Sequence, residues 1–202
     1  MKRKDIQAPM GEKTVLLHTC CAPCSSAIIE ALLNSGITPV IYYCNPNIYP
    51  HEEYEIRKNE CTRHAQSLGL EIVDADYDHE NWLDAVKGLE DEPERGGRCL
   101  RCFRLRLLRT AEYAFQRGIR VITTTLASSR WKSLDQINEA GSWAANEVNR
   151  SKNIVPPDDE VIWWDQNWRK GGLQERRLQI IKEYDFYNQL YCGCEFSMRK
   201  ED

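Results

Sequence analysis

Thr14-Val15-Leu16-Leu17-His18 runs directly into Thr19-Cys20-Cys21-Ala22-Pro23-Cys24, a short apolar strand that ends in a turn of thiols. The alternation then repeats. Ser26 to Asn34 has helical apolar spacing, with Ser25 offered as N-cap and Gly36 close behind its end. Pro39 to Cys44 is a β-branched and aromatic strand closed by Asn45-Pro46-Asn47, and Glu52 to Leu68 is a helix that stops at Gly69. A strand over Glu71 to Ala75 and a short helix over Glu80 to Lys87 lead into a polar loop, then an arginine-rich helix ending at Gly118. Arg120 to Thr125 (strand), Leu134 to Val148 (helix), Val161 to Trp164 (short strand) and Leu173 to Tyr187 (helix) complete the order. Such alternation predicts an α/β fold, a Rossmann-like parallel sheet flanked by helices with right-handed crossovers.

Open parallel sheets bind ligands at the carboxyl ends of their strands. That edge would gather Cys20, Cys21 and Cys24 with Asn45, Asn47, Asp74, Asp76 and Asp78, making a Cys-rich metal site there. The turn after the first strand, where nucleotide binders carry a glycine-rich phosphate loop, contains no glycine. The 202 residues, 42% hydrophobic and 29% charged, fit one folded domain spanning 1–202. Residues 1–12 are expected as a flexible tail, and 190–202 as a C-terminal segment carrying redox cysteines. No apolar run approaches the ~18 residues of a membrane span. The basic start Met1-Lys2-Arg3-Lys4-Asp5 has no apolar stretch behind it, so no signal peptide is read and a cytoplasmic protein is expected.

Nine cysteines are many for this length, and seven of them cluster as Cys20, Cys21 and Cys24, Cys99 and Cys102, and Cys192 and Cys194. In a reducing compartment such pairs point to metal ligation or redox chemistry. Cys20, Cys21, Cys99 and Cys102 make a ligand set for zinc or an iron–sulfur cluster. The vicinal pair favours the larger cluster, whose separate iron corners accommodate adjacent thiols. Cys24 is left as a further ligand, a helix N-terminal thiol of depressed pKa, or a packed side chain. Cys192-Gly193-Cys194 would close a small strained disulfide, with Gly193 supplying the backbone freedom. It reads as a redox-active pair, or else as two further ligands or plain thiols. Cys44 and Cys61 read as core. His18, His51, His64 and His79 show no ligand spacing, and the six tryptophans read as packing, any exposed one being able to stack on bases.

The net charge of −4 argues by itself against nucleic-acid binding. The average hides a polarity: ten acids against Lys87 between Glu71 and Glu94, then eight arginines against Glu112 between Arg95 and Arg120. The arginines form either the solvated face of a helix or the approach for an anionic substrate, for which bidentate arginine is suited.

Taken in order, these motifs resemble the cobalamin-independent epoxyqueuosine reductases. The resemblance rests on Cys20 to Cys24, Asn45-Pro46-Asn47-Ile48 with Glu53-Tyr54, Tyr77-Asp78 before Trp82, Lys87-Gly88-Leu89-Glu90 and Glu92-Pro93-Glu94. It continues through Arg98-Cys99 with Cys102, Thr123-Thr124-Thr125-Leu126, Arg169-Lys170 and Tyr191-Cys192-Gly193-Cys194, about Leu16 to Ser197. The stretch Val155 to Trp168 departs from the pattern. The resemblance implies reduction of epoxyqueuosine to queuosine at the tRNA wobble position, a [4Fe–4S] cluster on Cys20, Cys21, Cys99 and Cys102, and a redox-active disulfide between Cys192 and Cys194. Arg98, Arg101, Arg104, Arg169 and Lys170 become candidate tRNA contacts. Asp78, with Asp76 as fallback, is the candidate to hold an additional iron ion acting as Lewis acid or to deliver a proton. The electron donor is external, no fingerprint of flavin, nicotinamide or cobalamin being visible. Two alternatives stand beside this reading: a tRNA sulfur-transfer enzyme of the nucleotide-binding superfold, and a zinc-stabilised RNA-binding module.

Overall fold

In the computed structural model, which describes residues 6–154 and 159–198, Val15 to His18 are completely buried in strand β1 (Thr14–His18). After it come α1 (Ala22–Asn34), β2 (Thr38–Tyr43), α2 (His51–Ser67), β3 (Ile72–Asp74), α3 (His79–Val86) and α4 (Gly97–Gln116). The chain continues with β4 (Val121–Thr124), α5 (Leu134–Ser151), β5 (Ile162–Trp163) and α6 (Leu173–Tyr184). All strand pairs are parallel, in the order β3-β2-β1-β4-β5. Continuous apolar strands fit this arrangement, because helices cover both faces of a parallel sheet. Right-handed crossovers put α1 and α2 on one face and α4 and α5 on the other; α6 packs back onto α1 and α3 onto α4.

The winding reverses at β1. β2 and β3 are laid down to one side of it, β4 and β5 to the other, so the loops after β1 and β4 diverge and leave a crevice. The register sets its floor: His18 lies opposite Tyr42 of β2 and Thr124 of β4.

Several boundaries differ from those expected. Helix α1 starts at Ala22, with Cys21 as its N-cap and Pro23 in its first turn, where a missing N–H costs nothing. The turn of thiols is therefore the beginning of a helix. Ser25 does not cap it; its hydroxyl donates back to the carbonyls of Cys21 and Ala22, both at 3.2 Å. Helix α6 stops at Tyr184, where Asp185 enters the left-handed region at φ 50°. Of the stretch 1–12 expected as a tail, residues 1–5 lie outside the described residues, whereas the rest is placed. The Ile6 amide donates to Ser35 Oγ at 3.1 Å, Ala8 is buried, and Pro9–Gly11 form a 3-10 turn. Residues 155–158 and 199–202, which belong to the Val155 to Trp168 and 190–202 stretches, also lie outside the described residues.

The edge strand β5 sits on α5 through a contact that only glycine permits. A Cβ on Gly141 would lie 2.2 Å from the Trp163 indole. Gly141→Ala must displace that ring, and the overpacking is expected to cost about 1–3 kcal/mol, read as a lowered thermal midpoint.

On the opposite face His64 joins α2 to the end of α6, meeting Tyr184 and Phe186 edge-on at 5.1 Å each. Burial, with Arg63 adding, lowers its pKa to about 4. The folded chain thus refuses a proton that the unfolded chain accepts below its ordinary pKa of about 6.5. The stability present above that value is lost as pH falls from 6.5 through 4. In His64→Gln the fall of unfolding free energy between pH 6.5 and 4.5 is expected to be shallower, by up to about 1.4 kcal/mol per pH unit, as urea titrations would show.

Candidate functional site

At the carboxyl edge of the sheet the crevice opens into a cavity of about 1040 Å³. Its architecture begins with Arg106, which lies three turns into α4 and is 2% exposed. Burial of a guanidinium demands partners for its fixed fork of donors. Nε donates to the Cys44 carbonyl at 3.2 Å, Nη2 to Asn45 Oδ1, and Nη1 faces Cys102 Sγ at 3.8 Å. Asn45 passes the tie on, donating from Nδ2 to the Thr19 carbonyl at 2.9 Å. His18 completes the floor. Its Nδ1 meets Thr124 Oγ1 at 2.7 Å and its Nε2 the Cys44 carbonyl at 3.0 Å. A carbonyl only accepts, so Nε2 carries the proton. Burial and the charge of Arg106 hold this imidazole neutral, its pKa lowered to about 3.

Three segments bring sulfur to the cavity. Cys20, Cys21 and Cys24 place their Sγ atoms within 4.8 Å of one another, a grouping that suits a metal ion. Cys20 and Cys24 line the cavity while Cys21, 1% exposed, stands behind them. Cys99 and Cys102 reach the cavity from the first turns of α4, and Cys192 and Cys194 from the C-terminal segment. All nine cysteines are free thiols here. Hydrogen bonds from Cys21 and then Cys24 hold the Cys20 thiol well below its ordinary range, against burial and with help from Thr125 and Arg106. Cys24 is displaced the other way, up to about 12, chiefly through its bond to Cys20. The direction at Cys24 is thus opposite to the depressed-pKa reading. Cys44 and Cys61 are core residues as expected, their thiols pushed up by burial.

The C-terminal segment is strapped on by contacts far apart in sequence. Arg57 of α2, salt-bridged to Glu53 at 2.6 Å, donates to the carbonyls of Cys192 and Tyr191 at 3.2 and 3.3 Å. The Tyr49 amide donates to the Gly193 carbonyl at 2.8 Å. Gly193 has φ +114°, and a Cβ there would meet Arg57 Nη1 and Ile48 Cγ1 at 3.0 Å. Glycine is thus needed both for the backbone conformation and for the close approach. Cys192 Sγ accepts from Lys132 Nζ at 2.9 Å. Burial opposes the Lys132 charge, but Cys192 overrides it and holds the ammonium above its usual range. Cys194 packs with Trp82, Val86 and Cys102, and burial raises its pKa to about 12.

The remaining expected site residues divide. Asp78 is a helix cap. It accepts from the Asn81 amide at 3.4 Å and faces Arg109 at 4.0 Å, and it does not line the cavity. Asp76 is exposed and does not line it either. The acids follow a short edge strand on the far side of β2, whereas the crevice forms between β1 and β4. Arg98 is 3% exposed, its Nη1 spent on the carbonyls of Leu89, Glu90 and Glu92, so it pins the acidic loop and is not free for RNA. Arg104 is paired with Glu139 at 2.7 Å and lies over Trp143. Arg101 and Lys170 are exposed, and Arg169 lines the cavity.

Arg106, Lys132, Arg57 and Gln189 were not legible as site residues. Gln189 donates to Cys21 Sγ at 3.1 Å, yet no motif marks it. Arg106 had a signal: it interrupts the apolar stripe Phe103, Leu107, Ala111 of α4 instead of lying opposite it. Eight of the cavity-lining residues are lysine or arginine and only one, Glu94, is acidic. This reverses the inference from the net charge of −4. Asn47 Oδ1, Arg169 Nε and Gln189 Oε1 are buried there without a partner among the described residues.

A parallel sheet whose switch-point crevice is walled by thiols and cations, with no phosphate loop, belongs with α/β oxidoreductases built on cysteine. The chain is a member of one such family: residues 15–200 match the family "Epoxyqueuosine reductase QueH". It is 48% identical over 197 residues to the epoxyqueuosine reductase QueH of Histophilus somni (strain 129Pt), covering 98% of this chain and 77% of that protein. The protein of the same name from Haemophilus influenzae is also 48% identical, over 98% of this chain and 76% of its own length. The one from Thermotoga maritima is 34% identical, over 92% and 90%. This membership makes the chain an enzyme and sets aside the sulfur-transfer and RNA-binding-module alternatives. Among the described residues no helix is long and apolar enough to cross a membrane.

If Arg106 ties α4 to the sheet edge, Arg106→Met leaves the Cys44 carbonyl and Asn45 Oδ1 buried without a donor. A loss of roughly 3 kcal/mol or more is expected in urea unfolding. Arg106→Lys should recover only part of it, since one ammonium cannot span both acceptors.

Proposed function

We propose that this chain reduces epoxyqueuosine to queuosine within tRNA in the cytoplasm. The supporting observation is the lining of the crevice, where thiols from three segments meet an excess of cations in an otherwise acidic protein. The cations suit a polyanion that must bring one nucleoside in and leave its phosphates at the rim.

The residues also fit a [4Fe–4S] cluster on Cys20, Cys21, Cys99 and Cys102. Four thiolates are the ordinary ligand set of such a cluster, and thiolates assembled in a crevice need buried positive charge beside them. Arg106 supplies it, with no carboxylate partner among the described residues. When bound, the cluster would transfer electrons singly, each of its irons holding one of these thiolates. Asp78 has no part here. Its place as a helix cap removes the reason to set an additional iron beside it, and Cys24 is the cavity-lining thiol left over from the cluster set.

Deoxygenation of an epoxide to an alkene takes two electrons and two protons and releases the oxygen as water. Cys192 and Cys194 supply that count: two thiols become one disulfide and give up two electrons and two protons. Lys132 Nζ, bonded to Cys192 Sγ, is placed to pass a proton from the thiol towards the substrate oxygen. Arg57 and Gly193 hold the pair at the cavity wall. An external donor must then return the disulfide to the dithiol.

Protein purified without oxygen is expected to contain about four irons and four acid-labile sulfides per chain. Cys21→Ser should lose them and Cys24→Ser keep them. Cys192→Ser should retain the cluster absorbance and lose multiple turnover on epoxyqueuosine-containing tRNA. Zinc in place of iron, or full turnover by Cys192→Ser, would refute this mechanism.

A further inference from the structure

The loop after β4 presents a large aromatic to solvent. Trp131 is 66% exposed, at the rim of the thiol cavity. An exposed indole on a mobile loop would mean little, but this loop is fastened on both sides. Arg95 donates from Nη2 to the Arg130 carbonyl at 3.1 Å and from Nε to the Trp131 carbonyl at 3.0 Å. The Trp131 amide donates to Ser129 Oγ at 3.3 Å, and Arg169 Nη2 to the Lys132 carbonyl at 2.8 Å. The Arg95 backbone amide in turn donates to Cys99 Sγ at 3.3 Å, so the loop and the thiol wall share one support.

The Arg130 guanidinium lies 4.9 Å from the centre of the indole. A cation against an exposed aromatic ring, on a loop whose backbone is fastened, is the arrangement that stacks a planar ligand. The planar groups available at this rim, on the proposed function, are the bases next to the modified nucleoside. When one nucleoside enters the cavity its neighbours in the strand must stay outside within a few ångströms, and single-stranded loops expose their bases for stacking. The other exposed large apolar residues at the rim, Leu178, Leu190 and Met198, have no ring to stack.

We infer that Trp131, backed by Arg130, is a stacking platform for a nucleobase adjoining the substrate nucleoside in the anticodon loop. Trp131 is a positioning residue: it touches neither the epoxide nor the thiols, and it holds the strand so that the modified nucleoside reaches them. The inference rests on tRNA being the substrate.

The test uses the anaerobically purified full chain and an anticodon stem-loop carrying epoxyqueuosine, with Kd measured by fluorescence anisotropy at fixed salt. Parallel RNAs lack the base on one or the other side of the modified position. Trp131→Ala should weaken binding roughly ten- to hundred-fold, and Trp131→Phe should restore most of it. On the RNA lacking the stacked base the penalty should vanish, the two deletions being non-additive. Iron content and thermal midpoint should match the wild type. If removing neither flanking base weakens wild-type binding, the platform is refuted whatever the variants do. An equal penalty on every RNA, or loss of self-association with RNA affinity intact, also overturns it. A wild-type protein that binds the stem-loop without deoxygenating it would overturn the proposed activity and leave the platform standing.

Discussion

A guanidinium buried at the carboxyl edge of the sheet is the constraint around which the site is built. Arg106 cannot shed its proton, so its desolvation has to be met by acceptors on every side. It meets them by spanning the end of β2, Asn45 and the sulfur of Cys102. In doing so it fastens the helix that carries Cys99 and Cys102 to the crevice where Cys20 emerges from β1. One side chain thus ties the helix bearing Cys99 and Cys102 to the end of β2 and sets positive charge beside Cys102. His18, neutral beneath it, keeps the ends of β1, β2 and β4 together without adding a competing charge.

The distribution of charge follows from the same topology. The acidic run lies in and after β3, on an outer strand, and its loop is pinned by Arg98 through backbone carbonyls and not through its carboxylates. The basic run enters at the centre of the sheet, where winding reverses and a cavity has to form. An acidic protein therefore presents a basic opening. The averaged charge is a statement about solubility, whereas the lining of the cavity bears on what enters it.

The C-terminal segment shows how chemistry can depend on contacts remote in sequence. Cys192 and Cys194 are positioned by Arg57, Tyr49 and Lys132, none of them within 50 residues of the pair. Gly193 is fitted so tightly that a Cβ would press on Arg57 Nη1 and Ile48 Cγ1 at 3.0 Å. The left-handed conformation and the close approach act together, turning one sulfur to Lys132 and the other into the cluster with Trp82 and Cys102.

Much of this was legible in the chain. Buried parallel strands announce themselves as short apolar runs, so the order of elements, the crevice at the end of β1 and the three thiol groups could be read from residue types and spacing alone. The misreadings were of direction. Arg98, Arg101, Arg104, Arg106 and Arg109 look alike as letters, yet one turn of helix separates a solvated arginine from one that has lost its water. Asp78 sits beside conspicuous motifs, yet the edge position of β3 makes it a cap. Local pattern determined which residues belong to helix, strand and thiol turn, because propensity and periodicity act over a few residues. Only the tertiary structure decided which charges are buried and which partners the sulfurs meet, because burial and partnership depend on segments that the sequence keeps far apart, 62 residues for Arg106 and Cys44 and 60 for Lys132 and Cys192.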